Sequence, residues 1–162
     1  MLDRHGYRLN IGIILVNSDK KLFWGRRAGG KNAWQFPQGG MQPYETLEEA
    51  MYRELKEEIG LAASQVEILG LTRRWVHYQL PEHLHRKIPN PTALQKRYRG
   101  QKQRWFLLKL VSDEKNIHFD ETEKPEFSGF EWVDYWYPLE KVIYFKRAVY
   151  HTVLTEFEKI LF

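Results

Sequence analysis

Carboxylate side chains are concentrated between residues 39 and 61, a segment that reads GGMQPYETLEEAMYRELKEEIGL. Its last three glutamates, Glu54, Glu57 and Glu58, follow one another at helical spacing. Carboxylate oxygens are the ligands that hard divalent cations such as Mg²⁺ prefer, and carboxylates gathered in this way usually hold such a cation. The segment therefore predicts metal-assisted chemistry on a helix.

The helix that must position these glutamates has both a start signal and a stop signal. Thr46 and Glu49 form the T-x-x-E capping box, which begins a helix at about Leu47. Gly60 provides the left-handed residue that ends the helix after Ile59. We therefore predict a helix from about residue 47 to residue 59.

Helical geometry places the three glutamates on the packed side of this helix. At roughly 100° per residue, Glu54, Glu57 and Glu58 fall beside or within the apolar stripe, whereas Glu49 and Lys56 fall on the opposite face. An ordinary charged helix would direct its glutamates away from the stripe. Unpaired carboxylates on the packed side are unfavourable and repel one another, and a bound cation removes both penalties. The stripe consists of Ala50, Met51, Leu55 and Ile59.

Two other charged residues of the segment are assigned to structure rather than chemistry. Arg53 falls away from the three glutamates on the predicted helix and is the natural ion-pair partner of Glu45, at the loop entrance. This pair would hold the loop to the helix. Gly39 and Gly40 have no side chain, so that the backbone can closely approach a metal or a phosphate.

Short apolar runs on both sides of the helix predict strands, so that the whole chain is expected to form an α/β layered fold. Residues 10–16 and 21–26 predict a hairpin, and apolar residues at helical spacing over 146–161 predict a closing helix. Residues 81–100 contain three prolines and predict a loop. Further strands are predicted over residues 34–36, 66–76, 103–111 and 127–133.

The composition is that of a folded domain. The 162 residues are 43% hydrophobic and include no cysteine, which excludes disulfides and thiolate metal sites. No apolar run approaches the roughly 20 residues that a membrane helix needs, and the first ten residues lack the apolar core of a signal peptide. We expect a single domain over residues 1–162, located in the cytoplasm and not in a membrane.

Positive charge is concentrated in one part of the chain. Between His83 and Arg104 there are seven Lys or Arg and no acidic residue. Such a segment indicates a polyanionic partner, and a solvated basic loop is the alternative. The seven residues are Arg86, Lys87, Lys96, Arg97, Arg99, Lys102 and Arg104.

Residues 39–61 resemble the Nudix box, with all nine of its specified positions filled at the box spacing. Flanking segments are similar to the bacterial RNA pyrophosphohydrolase group, which overlaps with enzymes described as dinucleoside polyphosphate hydrolases. The resemblance extends over roughly residues 6 to 158. The flanking segments are GYR (6–8), WQFPQGG (34–40), GQKQRWF (100–106), PEF (125–127), YWYP (135–138) and FKR (145–147).

This resemblance implies the Nudix fold, a mixed β-sheet sandwiched between helices. It also implies that Mg²⁺-bound water cleaves a phosphoanhydride, with Mn²⁺ or another divalent cation able to substitute. In RNA-directed members, removal of pyrophosphate from a 5′-triphosphate end leaves a 5′-monophosphate and promotes mRNA decay. Two alternatives stay open: a dinucleoside polyphosphate hydrolase of the diadenosine tetraphosphate type, and a Nudix-like binding module without catalysis. The need for a protein activator is also open.

The resemblance implies roles for individual residues. Glu54, Glu57 and Glu58 match the metal-binding carboxylates, and the Gly39 carbonyl matches a backbone ligand. Glu126 matches a further acid that binds metal or orients the water. Which glutamate acts as the base stays open, with Glu57 favoured. The residues that match nucleotide contacts are Arg8, Arg27, Tyr78, Gln101, Phe145 and Lys146.

Phe145 and Lys146 have two interpretations. In the first, the aromatic ring stacks on a base and the ammonium group binds a phosphate. In the second, Phe145 belongs to the core and Lys146 is exposed at the start of the last helix.

Overall fold

The long strand β1 (Tyr7–Val16) organises a mixed sheet in the computed structural model, which describes residues 2–29, 32–81 and 99–162. β1 runs parallel to β7 (Gly100–Leu110) and antiparallel to β2 (Leu22–Arg27) and β4 (Gln38–Gly40). The other strands are β3 (Trp34–Gln35), β5 (Val66–Leu71), β6 (Val76–Gln79) and β8 (Phe127–Val133). Within the described residues the strand order is β3-β2-β1-β7-β5, with β6 paired to β7 and β8 paired to β2.

Helices cover both faces of this sheet, because alternate side chains of each strand point to opposite faces. Ile11 and Ile13 of β1 pack in one core with the apolar side of the first helix, and Ile14 packs in the other core with the last helix. The predicted arrangement of a mixed sheet between helices is therefore confirmed. The helices are α1 (Leu47–Ile59), α2 (Tyr137–Lys141) and α3 (Arg147–Leu161).

Both predicted caps of α1 are confirmed. The Thr46 hydroxyl accepts a hydrogen bond from the Glu49 amide at 3.1 Å, and the Glu49 carboxylate accepts one from the Thr46 amide. Gly60 follows the helix with φ of 75°, in the left-handed region. The last helix begins at Arg147 rather than at 146, because residues 144–146 form a 3₁₀ turn.

The prediction of one strand over residues 66–76 is wrong. Two strands, β5 and β6, pair with β7 and are separated by residues 72–75. Thr72 explains the interruption, because its amide donates to the Trp105 carbonyl and its hydroxyl accepts from the Trp105 amide at 3.0 Å. The Thr72 side chain thus takes over a hydrogen bond that a continuous strand would make with its backbone.

Most of the predicted loop over 81–100 lies outside the described residues, as do Arg86, Lys87, Lys96 and Arg97. Two of the described basic residues have partners within the protein. Lys102 pairs with Asp3 at 3.4 Å, and Arg104 donates to the Thr72 carbonyl at 2.8 Å. Among the described helices, none is long and apolar enough to cross a membrane.

Candidate active site

Glu54 lies against the backbone of Gly39, at the point where α1 packs on β4. The Glu54 side chain is buried, with 8% of its surface exposed. A Cβ atom at Gly39 would lie 2.0 Å from the Glu54 carboxyl carbon and within 2.3 Å of both carboxylate oxygens. The absence of a side chain at residue 39 therefore makes room for this carboxylate.

Substitution of Gly39 with Ala is expected to reduce turnover about a hundred-fold, because the Glu54 carboxylate must move by about 1 Å or more to admit a Cβ. The Gly129→Ala variant is the control, since its Cβ would meet only the flexible end of Arg26, at 3.2 Å. Steady-state kinetics on both variants test the prediction. Equal activities of the two variants would contradict the close packing of Glu54 on Gly39.

Glu58 has a carboxylate oxygen with no partner. Its Oε2 atom is buried, and no protein group in the described structure donates a hydrogen bond to it. Burial raises the pKa of Glu58 to about 8, and the negative charges of Glu126, Glu54 and Glu57 add to this effect. The prediction of unfavourable carboxylates on the packed side of α1 is therefore confirmed for Glu58.

Arg53 binds the glutamates more widely than the sequence predicted. Its guanidinium donates to Glu45 at 2.5 and 3.0 Å, which confirms the predicted pair, and to the Gly40 carbonyl at 2.8 Å. It also donates to Glu54 at 2.7 Å and to Glu57 at 3.3 Å. The prediction that Arg53 lies away from the metal-side glutamates is wrong, because a long side chain reaches neighbours one and four residues away.

The pKa values of two carboxyl groups that Arg53 contacts are shifted in opposite directions. The hydrogen bonds from Arg53 lower the pKa of Glu45, in spite of its burial. Burial raises the pKa of Glu54, and the neighbouring Arg53 only partly offsets this effect. Arg53 therefore stabilises the charge of the loop residue Glu45, whereas the environment of Glu54 still lacks positive charge.

Glu126 approaches the glutamates of α1 from the loop that precedes β8. Its Oε1 atom accepts a hydrogen bond from Gln35 Nε2 at 3.4 Å and pairs with Arg27 Nε at 3.4 Å. Its negative charge contributes to the raised pKa of Glu58, so the two carboxylates interact electrostatically. Glu126 therefore acts electrostatically on one of the predicted metal ligands.

In residues 2–29, 32–81 and 99–162, no three acidic or histidine side chains converge into a preformed metal cluster. Arg53 binds Glu54 and Glu57, and one buried carboxylate oxygen of Glu58 has no hydrogen-bond partner among the described residues. The donor chemistry nevertheless fits a hard divalent cation, because several carboxylates and one unpaired buried oxygen lie together. Such a cation would supply the positive charge that Glu58 lacks.

Lys146 shares a hydrogen-bonding partner, Gln35, with Glu126. It is buried, with 9% of its surface exposed, and its Nζ atom donates to Gln35 Oε1 at 3.2 Å. Burial lowers the pKa of Lys146 to about 8, and the positive charge of Arg27 lowers it further. The interpretation of Lys146 as an exposed residue at the helix start is therefore wrong.

Four other predicted substrate contacts gather where β1, β7 and β6 meet. Arg8 and Tyr78 are both register partners of Gln101, on its two sides. The rings of Tyr78 and Phe145 are 5.7 Å apart at 38°. Arg8 is exposed, and a Cβ at Gly40 would lie 2.6 Å from its Nη2 atom, which places Arg8 beside the glycine pair.

Sequence reasoning missed two buried glutamines in this region. Gln35 contacts both Glu126 and Lys146, as described above. Gln103 donates from Nε2 to Asn10 at 2.9 Å and, at 3.2 Å, to Gln101, and it accepts from Trp105 Nε1. In the sequence, both glutamines could have been recognised by their position next to aromatic residues in predicted strands, in the runs WQF and QRWF.

Comparisons with known proteins show the family of the chain. A NUDIX domain model matches residues 6–153. The RNA pyrophosphohydrolase of Hydrogenovibrio crunogenus is 51% identical over 98% of this chain and 92% of its own length. The RNA pyrophosphohydrolase of Legionella pneumophila strain Corby is 52% identical over 99% of this chain and 89% of its own length.

Solved structures support the fold. The dihydroneopterin triphosphate pyrophosphohydrolase of E. coli matches with a TM-score of 0.66 and 20% identity, over 93% of this chain and 98% of that one. An Ap4A hydrolase of C. elegans, in a binary complex, matches with a TM-score of 0.65 and 17% identity, over 95% and 97% of the two chains. Nudix hydrolases generally use divalent metal cations. The chain belongs to the Nudix hydrolase family, in the group whose curated members are named RNA pyrophosphohydrolases.

Proposed function

We propose that the protein is an Mg²⁺-dependent RNA 5′-pyrophosphohydrolase, which releases pyrophosphate from a 5′-triphosphate end and thereby promotes mRNA decay. The observation that carries this proposal is the match, at 51% identity over 98% of the chain, to a relative of that name. In this proposal one domain over residues 1–162 acts on transcripts in the cytoplasm. Arg8, Gln101, Tyr78 and Phe145 contact the nucleotide end of the RNA.

The proposed metal site uses the carboxylates of α1 together with the loop acid. Glu54, Glu57, Glu58 and Glu126, with the Gly39 carbonyl, would hold the cation. When bound, a divalent cation neutralises phosphate oxygens and activates water for attack on phosphorus. Mn²⁺ or another divalent cation could take the place of Mg²⁺, because the ligands are all oxygen atoms.

Within this site we assign the base to Glu57. Its side chain is 42% exposed, whereas Glu54 is buried against Gly39. An exposed carboxylate can reach a water molecule on the substrate side and accept its proton. Glu45 and Arg53 act by holding the loop, through the contacts of Arg53 with Glu45 and with the Gly40 carbonyl.

The phosphate chain of the substrate is proposed to lie along Arg27 and Lys146. The Arg27 guanidinium is 3.4 Å from the Glu126 carboxylate, and Lys146 is linked to the same carboxylate through Gln35. A buried ammonium group interacts more strongly with a phosphate than an exposed one, because less water screens the attraction. The half-buried Phe145 ring is the proposed stacking surface for a base, and the buried Tyr78 ring supports it from 5.7 Å away.

The value of kcat/KM is expected to fall by about tenfold per pH unit above about pH 8, because Lys146 loses its proton there and no longer attracts phosphate. Arg27 and Glu126 are the charged neighbours that act on this group. In Lys146→Arg the decline should be absent, since a guanidinium keeps its proton throughout this range. Identical pH profiles of the two proteins would remove Lys146 from phosphate binding.

The alternative function is hydrolysis of a dinucleoside polyphosphate by the same site. Rates on 5′-triphosphorylated RNA and on diadenosine tetraphosphate distinguish the two functions. We expect the larger kcat/KM on the RNA. Rapid hydrolysis of the dinucleotide with no turnover of RNA would reject the proposed function and favour the alternative.

A further inference from the structure

We propose that Gln35 is a positioning residue that keeps the phosphate-binding cation Lys146 apart from the metal-side carboxylate Glu126. Gln35 ends β3 and is buried, with 6% of its surface exposed. Its Nε2 atom donates to Glu126 Oε1 at 3.4 Å, and its Oε1 atom accepts from Lys146 Nζ at 3.2 Å. The roles of the two partners rest on the proposed function.

The orientation of the Gln35 amide follows from the chemistry of its partners. An ammonium group can only donate hydrogen bonds, and an ionised carboxylate can only accept them. The amide oxygen must therefore face Lys146 and the amide nitrogen must face Glu126. A neutral group that satisfies both charges allows them to lie close together without a direct ion pair.

Gln35 prevents a direct ion pair between Lys146 and Glu126. Without the amide, the buried Lys146 ammonium would lose its hydrogen-bond acceptor. The negative charge of Glu126 attracts this ammonium group, whereas the positive charge of Arg27 repels it. The ammonium would then turn to Glu126. In that ion pair, Lys146 could no longer bind the phosphate and Glu126 could no longer bind the metal.

The backbone around Gln35 is held firmly enough for this role. Gly25 of β2 is its register partner, and the next residue, Phe36, donates its amide hydrogen to the Tyr150 hydroxyl at 3.0 Å. Tyr150 belongs to α3, the helix that begins directly after Lys146. The same helix therefore fixes both the strand end that carries Gln35 and the lysine that Gln35 binds.

The test is the binding of inorganic pyrophosphate to the metal-free protein, measured by calorimetry. Gln35→Met keeps the length of the side chain and removes both hydrogen bonds, so it should weaken binding about tenfold as Lys146 pairs with Glu126. Adding Glu126→Gln should restore binding to the level of Glu126→Gln alone, because the competing charge is gone. In Gln35→Glu the new carboxylate pairs with Lys146 itself, so that Glu126→Gln should not restore binding.

Gln65→Met is the control, because the Gln65 side chain accepts a hydrogen bond from the Ala62 amide in the turn after α1, away from Lys146 and Glu126, and the variant should bind pyrophosphate like the parent protein. Thermal unfolding of each variant separates loss of binding from loss of fold. Unchanged binding in Gln35→Met, or weak binding that Glu126→Gln does not restore, would overturn the positioning role. The pyrophosphate-binding measurement needs neither metal nor RNA. A lack of activity on RNA would therefore contradict the proposed function, whereas the role of Gln35 could still be tested by binding.

Discussion

The Glu57→Gln variant is expected to lose about a thousand-fold in kcat while it remains folded. The substitution removes the carboxylate charge that is proposed to accept the proton of the attacking water and to bind the cation. A thousand-fold loss corresponds to about 4 kcal/mol of transition-state stabilisation. The side chain is 42% exposed and makes one long contact, at 3.3 Å with Arg53, so the fold should tolerate the amide. Turnover at saturating Mg²⁺ and far-UV circular dichroism are the measurements.

The Glu48→Gln variant is the matched control for this experiment. Glu48 is exposed in the first turn of the same helix, so the same chemical change is made away from the site. We expect its turnover to equal that of the parent protein. If Glu57→Gln and Glu48→Gln are equally active, the assignment of the base and of the metal site on α1 is wrong.

Substitution of Arg53 with Met is expected to reduce the free energy of unfolding by about 3 kcal/mol. The variant keeps the aliphatic part of the side chain but leaves Glu45 and Glu54 without their ion-pair partner, and both side chains are largely buried. Urea unfolding in the presence of a chelator gives the measurement. The exposed Arg73, on the loop between β5 and β6, provides the Arg73→Met control, which should change the free energy little.

The difference in the free energy of unfolding between the parent protein and Arg53→Met should decrease as pH falls. Hydrogen bonds from Arg53 lower the pKa of Glu45 in the folded protein, so this pair contributes stability above the ordinary pKa of a glutamate and loses it as pH falls. The parent protein should therefore approach Arg53→Met in stability below about pH 4. A constant difference between pH 7 and pH 3 would show that the Glu45 pair contributes nothing.

The sequence was sufficient to predict the features that depend on neighbouring residues. The Thr46 and Gly60 caps fix the ends of α1, and the helical period then places Glu54 and Glu58 on the packed side. Both steps use residues within one helix. The α/β arrangement also followed, because strand periodicity and helix periodicity are local properties.

The reach of a long side chain was harder to predict. The angular position of Arg53 describes its Cα–Cβ bond, but the guanidinium lies several bonds further and contacts Glu54 and Glu57 as well as Glu45. Thr72 shows a similar effect, since its hydroxyl competes with backbone pairing and interrupts a predicted strand. Side-chain hydrogen bonds of this kind are not visible in hydrophobic periodicity.

Contacts between distant residues were missed for a different reason. Gln35 meets Glu126 across 91 residues and Lys146 across 111 residues, so no local pattern relates them. The burial of Lys146 likewise depends on how α3 packs against the sheet. A helix start with a lysine is usually exposed, and only the assembled fold places this one beside Glu126.

The most direct test of the central claim is the product formed from RNA that carries a radiolabelled γ-phosphate at its 5′ end. Attack of water that cleaves the bond between the α- and β-phosphates releases both outer phosphates together. We therefore predict labelled pyrophosphate as the first labelled product, dependent on Mg²⁺, with a 5′-monophosphate left on the RNA. Labelled orthophosphate in its place, or no release from RNA under conditions in which diadenosine tetraphosphate is hydrolysed, would contradict the proposed function.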